Sequence, residues 1–176
     1  VYDIEVLFGI KTDTGDVLGI ISEVKTDKVN INNINLNKYK GSFEQSYPIY
    51  SSKTVNGEQL HTLARRGELP DEIPTKNVEI YDIINLGQYD ISGKDLSNNS
   101  ISNINKVNGD FRQKEIISKW ENFKQQHGDI TFQVIKLRVS CSSGTYMRSL
   151  AERIANELGS VGIAIGINRI KLGDFV

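Results

Sequence analysis

With one cysteine the chain can form no internal disulfide, and with two histidines far apart, His61 and His127, it offers no zinc constellation. Cys141 is therefore read as a small buried residue at a strand end rather than as a nucleophile. No apolar run approaches the roughly 18 residues that a membrane-spanning helix needs, and no leader-like segment is visible. The expectation is no membrane association and a cytoplasmic location. An excess of positive charge is missing too: the formal net charge is −1. Contact with nucleic acid must then rely on a local basic patch or on parts beyond these residues. The glycines Gly159, Gly162 and Gly166 do not follow a dinucleotide-loop spacing, no GxxxxGK string occurs, and no Ser/His/Asp arrangement can be argued.

What is present is ordinary for one well-cored globular domain: 176 residues, 38% hydrophobic and 24% charged. Tyr2, Ile4, Val6 and Phe8 alternate with Asp3 and Glu5, which reads as the interior of a strand. Because Val1 is not an initiator methionine and the strand is already under way there, a fragment or processed product is expected. Lys11–Asp16 (KTDTGD) reads as a turn, and Thr12, Asp13, Thr14 and Asp16 are explained largely by turn chemistry. Val17–Lys25 reads as a returning strand that makes a hairpin. Asp27–Lys40 is asparagine-rich and a poor helix former, so a short helix or an irregular connection is expected. Gly41–Ser52 reads as extended, with Pro48 where no amide donor is needed. Gly57–Arg66 reads as a short helix with Leu60, Leu63 and Ala64 inward, stopped by Gly67. Lys53, Arg65 and Arg66 form the densest positive charge in that region.

Asn77–Leu86 alternates like another strand. Residues 85–129 read as polar and loop-like through Asn108 and then helical at about 111–126. Asp110 with Gln113 gives a capping-box signature, and Ile116, Trp120 and Phe123 at i, i+4 and i+7 require a packing partner; a helix laid on a sheet is expected. Thr131–Ser140 is a β-branched strand. The stretch after it, Cys141–Leu150 (CSSGTYMRSL), turns into a helix whose Met147, Leu150, Ala151, Ile154 and Leu158 form one apolar stripe. Arg148 then projects beside the core in the first helical turn, where the helix dipole disfavours a cation unless an anion is near. It is expected to be solvent-exposed or paired with a carboxylate or other anion.

Four blocks in order resemble the TruB-type tRNA pseudouridine-55 synthases: YDIEVLFGIKTDTGDVLG at Tyr2–Gly19, QSYPIYSSKTVNGEQLHTLARRG at Gln45–Gly67, GTYMRSL at Gly144–Leu150, and VGIAIGINRIKLGDF from Val161. The resemblance implies an α+β fold with a mixed, largely antiparallel sheet and a few flanking helices, incomplete at the N-terminus, the chain being a partial catalytic domain. It also implies a cofactor-free isomerisation of uridine 55 in the T arm of tRNA, with the base flipped out of the RNA. On matched positions Tyr2 falls on the tyrosine that stacks on the target base and helps remove its C5 proton. Tyr146 falls on a second active-site tyrosine, Arg148 on the arginine that pairs with the catalytic aspartate, and Ile167 on an apolar wall usually made by leucine. Asp16, Lys53 and Arg65 fall near the RNA. The aspartate itself belongs to a GHxGTLDPxATG-type motif that this chain does not contain, and neither Asp3 nor Asp16 matches it, so the chain alone is expected to be inactive. The partners implied are tRNA and the N-terminal part of the same protein. Departures from the pattern are His61 where tyrosine is usual, Tyr47 where proline is common, and residues 85–129, which against that pattern look like an insertion. A noncatalytic RNA-binding module, a guide-RNA-dependent ribosomal RNA synthase, and an unrelated α+β domain remain open at this level.

Overall fold

A computed structural model describes residues 1–109 and 111–173. Strands β1 (Tyr2–Phe8), β2 (Ile10–Thr12), β3 (Ile21–Val24), β4 (Gly41–Ser46), β5 (Thr54–Val55), β6 (Glu58–Gln59), β7 (Thr75–Ser92), β8 (Thr131–Cys141) and β9 (Gly162–Arg169) alternate with four α-helices. The helices are α1 (Leu60–Arg66), α2 (Gly93–Lys106), α3 (Gln113–His127) and α4 (Met147–Glu157). Five strands form the central sheet in the order β4-β7-β8-β1-β9, and every pairing within it is antiparallel. The expected α+β architecture is thus the observed one.

The chemistry of β1 and β8 explains how the sheet is covered. Ile4 faces Leu137 across the two strands, and Val6 faces Ile135. These side chains join Met147, Leu150, Ala151, Ile154 and Ala155 of α4 in one core cluster. On the opposite face Leu7 lies across from Val134, and both are buried with Leu96 and Ile104 of α2 and Ile116, Trp120 and Phe123 of α3. Further along that second face the residues become charged. Glu5 pairs with Lys136 at 3.1 Å, and Asp3 accepts from Arg138 Nε and Nη2 at 2.7 and 2.8 Å. The helices therefore cover the apolar half of this face, and the half that carries Ile84 and the two ion pairs is exposed.

Several expectations need correction. Val17–Lys25 does not return as one long strand: β3 is four residues long and pairs with β2 in a separate two-stranded ribbon. Residues 17–20 instead close the preceding turn, where Leu18 N donates to Asp16 and Ile20 N to Asp13. The helix expected from Gly57 begins at Leu60, because Asn56 and Gly57, both at positive φ, form a tight hairpin turn between β5 and β6. Gly67 ends α1 in the left-handed conformation, as expected. Asp27–Lys40 holds two short 3-10 turns, Ile31–Asn33 and Leu36–Tyr39.

The largest correction concerns residues 85–108, expected as a polar loop. β7 continues through Ser92, and α2 follows, with the Ser92 hydroxyl oxygen accepting from Asp95 N. Leu96, Ser100 and Ile104, spaced four apart, are buried, and Ser97 Oγ donates to Trp120 O at 2.7 Å. Packing against α3 outweighs the poor helix propensity of asparagine and serine. α3 begins at Gln113, after Arg112 in a left-handed conformation. The Asp110 cap lies outside the described residues, as do Asp174 and Phe175 of the closing block. Ile116, Trp120 and Phe123 face the sheet as their spacing requires.

Trp120 is fully buried, and its Nε1 donates to Val17 O at 3.1 Å. Trp120→Ala is expected to lower unfolding free energy by about 3–5 kcal/mol. Urea denaturation checks this, and a loss below ~1 kcal/mol would show the helical pair to be dispensable to the core.

Candidate active site

The turn at Thr12–Asp16 is built from its own side chains. Thr12 Oγ1 donates to Asp16 O at 2.8 Å, and Thr14 Oγ1 donates to Asp16 Oδ1 at 2.7 Å. The same Oδ1 accepts from Leu18 N at 2.9 Å. Gly15 has φ +72°, a left-handed conformation that strains any residue with a Cβ, and a Cβ there would also have to displace the Glu152 carboxyl, whose Oε1 would stand 2.8 Å away. Its carbonyl accepts from Ala164 N at 3.0 Å, and Asp16 bridges Ala164 in parallel fashion, which pins the turn to the outer edge of β9.

Into this turn reaches Arg148. Its Nη1 donates to Thr14 O at 2.8 Å and to Asp16 Oδ2 at 3.2 Å, and its Nη2 donates to Tyr50 O at 3.2 Å. The two charged side chains are 19% and 21% exposed, so the ion pair is largely sheltered. Of the two environments expected for Arg148, a carboxylate partner is the one found. The carboxylate also offsets the cost of a cation in the first turn of α4. Glu152, one turn further along α4, has its carboxyl pushed up by burial, which outweighs the opposing pull of Lys11 and Arg148 and adds to the repulsion from Asp16.

The other anticipated residues have separate settings. Tyr146 is the residue before α4, and Gln45 clamps its backbone from both sides, with Oε1 accepting from Tyr146 N at 2.8 Å and Nε2 donating to Tyr146 O at 3.2 Å. The Tyr146 ring meets Tyr47 edge-on at 5.8 Å, and Lys53 Nζ lies over Tyr47 at 4.9 Å. Tyr2 packs at the margin of the cluster that includes α4; its hydroxyl accepts from Arg169 Nε at 2.8 Å, and the guanidinium covers its ring at 5.1 Å. Ile167 lies opposite Ile4, on the same sheet face as Tyr2, and is 45% exposed. No described contact joins Tyr2 to Tyr146 or Arg148.

Two cavities meet at Arg148. One of about 770 Å³ lies between the turn, β4, the Tyr47–Tyr50 segment and α4, with Phe43, Tyr47, Tyr50, Glu152 and Arg153 among its walls. The other, about 230 Å³, is lined by Asp16, Tyr50, His61, Arg65, Arg112 and Arg148 among others. Of the anticipated residues, the described linings bring together Asp16, Arg65 and Arg148, and do not include Tyr2, Tyr146, Lys53 or Ile167. Sequence reasoning missed Gln45, Tyr50 and Arg112. Gln45 and Tyr50 stood inside a block already singled out, whereas nothing local marks Arg112. Cys141 is half-buried, and burial pushes its thiol up, which suits a structural role. Among the described residues no group of His, Cys, Asp and Glu side chains stands where it could hold a metal ion.

Two outcomes follow. Asp16→Ala removes the carboxylate from Arg148 and two acceptor contacts from the turn, and is expected to cost about 2–3 kcal/mol in urea unfolding; a change under ~0.5 kcal/mol would show the pair to be incidental. Because burial raises Glu152 above its unfolded value, its contribution is fully present below the ordinary glutamate pKa and is lost as pH rises through the raised folded value. Glu152→Gln should flatten that fall in a pH series of urea midpoints, and an unaltered slope would contradict the assignment.

The comparisons with known proteins agree with this architecture. Residues 1–97 match the model of the TruB family pseudouridylate synthase (N terminal domain). A protein named tRNA pseudouridine synthase B from Prochlorococcus marinus is 34% identical over 171 residues, covering 96% of this chain and 42% of that protein. Namesakes from Caldicellulosiruptor saccharolyticus and Francisella tularensis subsp. novicida are 32% and 29% identical, covering 96% and 99% of this chain and 44% and 45% of theirs. The chain thus spans less than half the length of these relatives. With more than half of its residues inside the family match, this chain belongs to the TruB family of pseudouridylate synthases.

Proposed function

We propose that the protein to which this chain belongs is a tRNA pseudouridine synthase that converts uridine 55 of the T arm into its C-glycoside isomer. The reaction breaks the N1–C1′ bond, turns the base, joins C5 to C1′, and exchanges the C5 hydrogen for one on N1. The observation that carries this reading is Arg148, held in the first turn of α4 by Asp16 and two carbonyls where two cavities meet. Its described bonds use Nη1 and Nη2, so in this reading Nε is the donor for a second, catalytic carboxylate. That aspartate comes from a segment outside these 176 residues. Opposite charge beside it keeps it ionised and oriented for attack.

The remaining roles follow from position. Tyr2 stacks on the flipped uracil and assists loss of the C5 proton, for which its contact with Arg169 must open. Tyr146, fixed by the Gln45 clamp, offers a second ring, and Ile167 contributes apolar wall on the face of Tyr2. Asp16 stays close to the RNA through the turn, while Lys53 and Arg65 meet phosphates, as cations beside an aromatic cleft are suited to do. Every organic step uses side chains alone.

The test employs full-length protein and T-arm RNA tritiated at C5 of the target uridine. Arg148→Ala and Arg148→Lys are each expected to slow tritium release by about 10²-fold or more, since a lysine cannot supply the guanidinium's planar fork. Wild-type rates in both would overturn the role of Arg148. The 176-residue chain by itself is expected to release no tritium, and turnover by it would refute the placing of the aspartate elsewhere.

A further inference from the structure

Gln45 is the buried position of β4, 7% exposed, between the exposed side chains of Glu44 and Ser46. A buried amide needs partners for both of its ends. Here both partners belong to one residue: Oε1 accepts from Tyr146 N at 2.8 Å, and Nε2 donates to Tyr146 O at 3.2 Å. An N–H must meet an oxygen and a carbonyl must meet a donor, so the Tyr146 backbone dictates which way the amide points.

Tyr146 has need of such a partner. It lies just before α4, extended at φ −93° and ψ 112°, with no side-chain cap. Its N–H falls outside the helical ladder, while its carbonyl accepts from Leu150 N at 3.1 Å as well as from Gln45. The amide of Gln45 thus does for Tyr146 what a paired residue does in an antiparallel ladder, exchanging one bond each way. The clamp is itself well anchored. β4 pairs with β7, with Gln45 opposite Lys76, and Tyr47 N donates to Pro74 O at 3.0 Å. The Tyr47 ring then braces the Tyr146 ring edge-on at 5.8 Å. Arg148 keeps a separate hold through Thr14, Asp16 and Tyr50, so what Gln45 governs is Tyr146.

We infer that Gln45 is a positioning residue for the isomerisation, acting through Tyr146 and without touching the substrate itself. The inference rests on the functional reading above for the role of Tyr146. Fixing the Tyr146 backbone on both sides fixes the direction of its Cα–Cβ bond, and so the place of its ring against the flipped base. A misplacement of about 1 Å at a reacting centre can cost about 10²-fold in rate. Glutamine suits the task because its amide carries a donor and an acceptor; ionised glutamate only accepts, and methionine does neither.

The experiment uses the full-length protein and the tritiated T-arm RNA, with circular dichroism confirming that each variant is folded. Gln45→Met keeps the length of the side chain but makes neither bond. It is expected to lower kcat about tenfold or more while KM for the RNA changes less than about threefold, the split expected when positioning rather than binding is lost. Gln45→Asn keeps the amide but is one carbon too short to hold both groups; it is expected to do the same, and it serves if Gln45→Met does not fold. In a Tyr146→Ala background Gln45→Met should slow release no further, because the two residues act as one unit. Losses that multiply in the double variant would overturn action through Tyr146. A wild-type kcat in folded Gln45→Met beside a slow Tyr146→Ala would overturn the inference and leave the functional reading standing. Wild-type release by Tyr146→Ala would refute that reading's use of Tyr146, and the inference with it.

Discussion

A guanidinium in the first turn of a helix faces the positive end of the helix dipole, and three oxygens from two other segments converge on Arg148 to offset that repulsion. Two of those oxygens belong to a turn that has no regular hydrogen-bond ladder of its own and is held by Thr12, Thr14 and Asp16 acting on one another. Asp16 serves both sides: Oδ1 closes the turn and Oδ2 meets the arginine. The third oxygen, from Tyr50, brings in the segment that follows β4. Thr14, Tyr50 and Arg148 line both cavities, so the residues of this contact form their common wall.

The rest of the fold can be understood as support for that contact. α4 lies on one face of the sheet through Met147, Leu150, Ala151, Ile154 and Ala155, which sets the height of Arg148 above β1 and β9. β9 holds the turn from the other side through Ala164. On the second face, the helical pair α2 and α3 covers Leu7 and Val134 and is linked back to the turn by Trp120 on Val17 and by Arg112 on Asp13. The α2–α3 stretch thus shares a core with the central strands and a boundary with the site.

Much of this was legible in the residues. The alternation of β1, the β-branched run of β8 and the stripe of α4 are strong periodic signals because each element buries one well-defined face. The need of Arg148 for an anion followed from its position on the helix. What could not be read was which anion, since Asp16 is 132 residues away and the contact depends on how the turn docks. α2 was hidden because Asn and Ser suppress helical propensity, although Ser92 with Asp95 and the spacing of Leu96, Ser100 and Ile104 carried a weaker signal. The β5–β6 hairpin was announced by Asn56-Gly57, a turn signal overlooked inside a block read for its helix. Arg112 had no local mark at all.

In the proposed function RNA meets the α4 side of the sheet around Arg148 rather than the exposed half of the opposite face. The direct measurement is photo-crosslinking of a T-arm hairpin carrying 4-thiouridine at the target position, with the attached peptides mapped. Adducts on Tyr2, Tyr47 or Tyr146 are the expected result. Adducts confined to Tyr81, Ile84 and Leu86, on the outer stretch of β7, would contradict it.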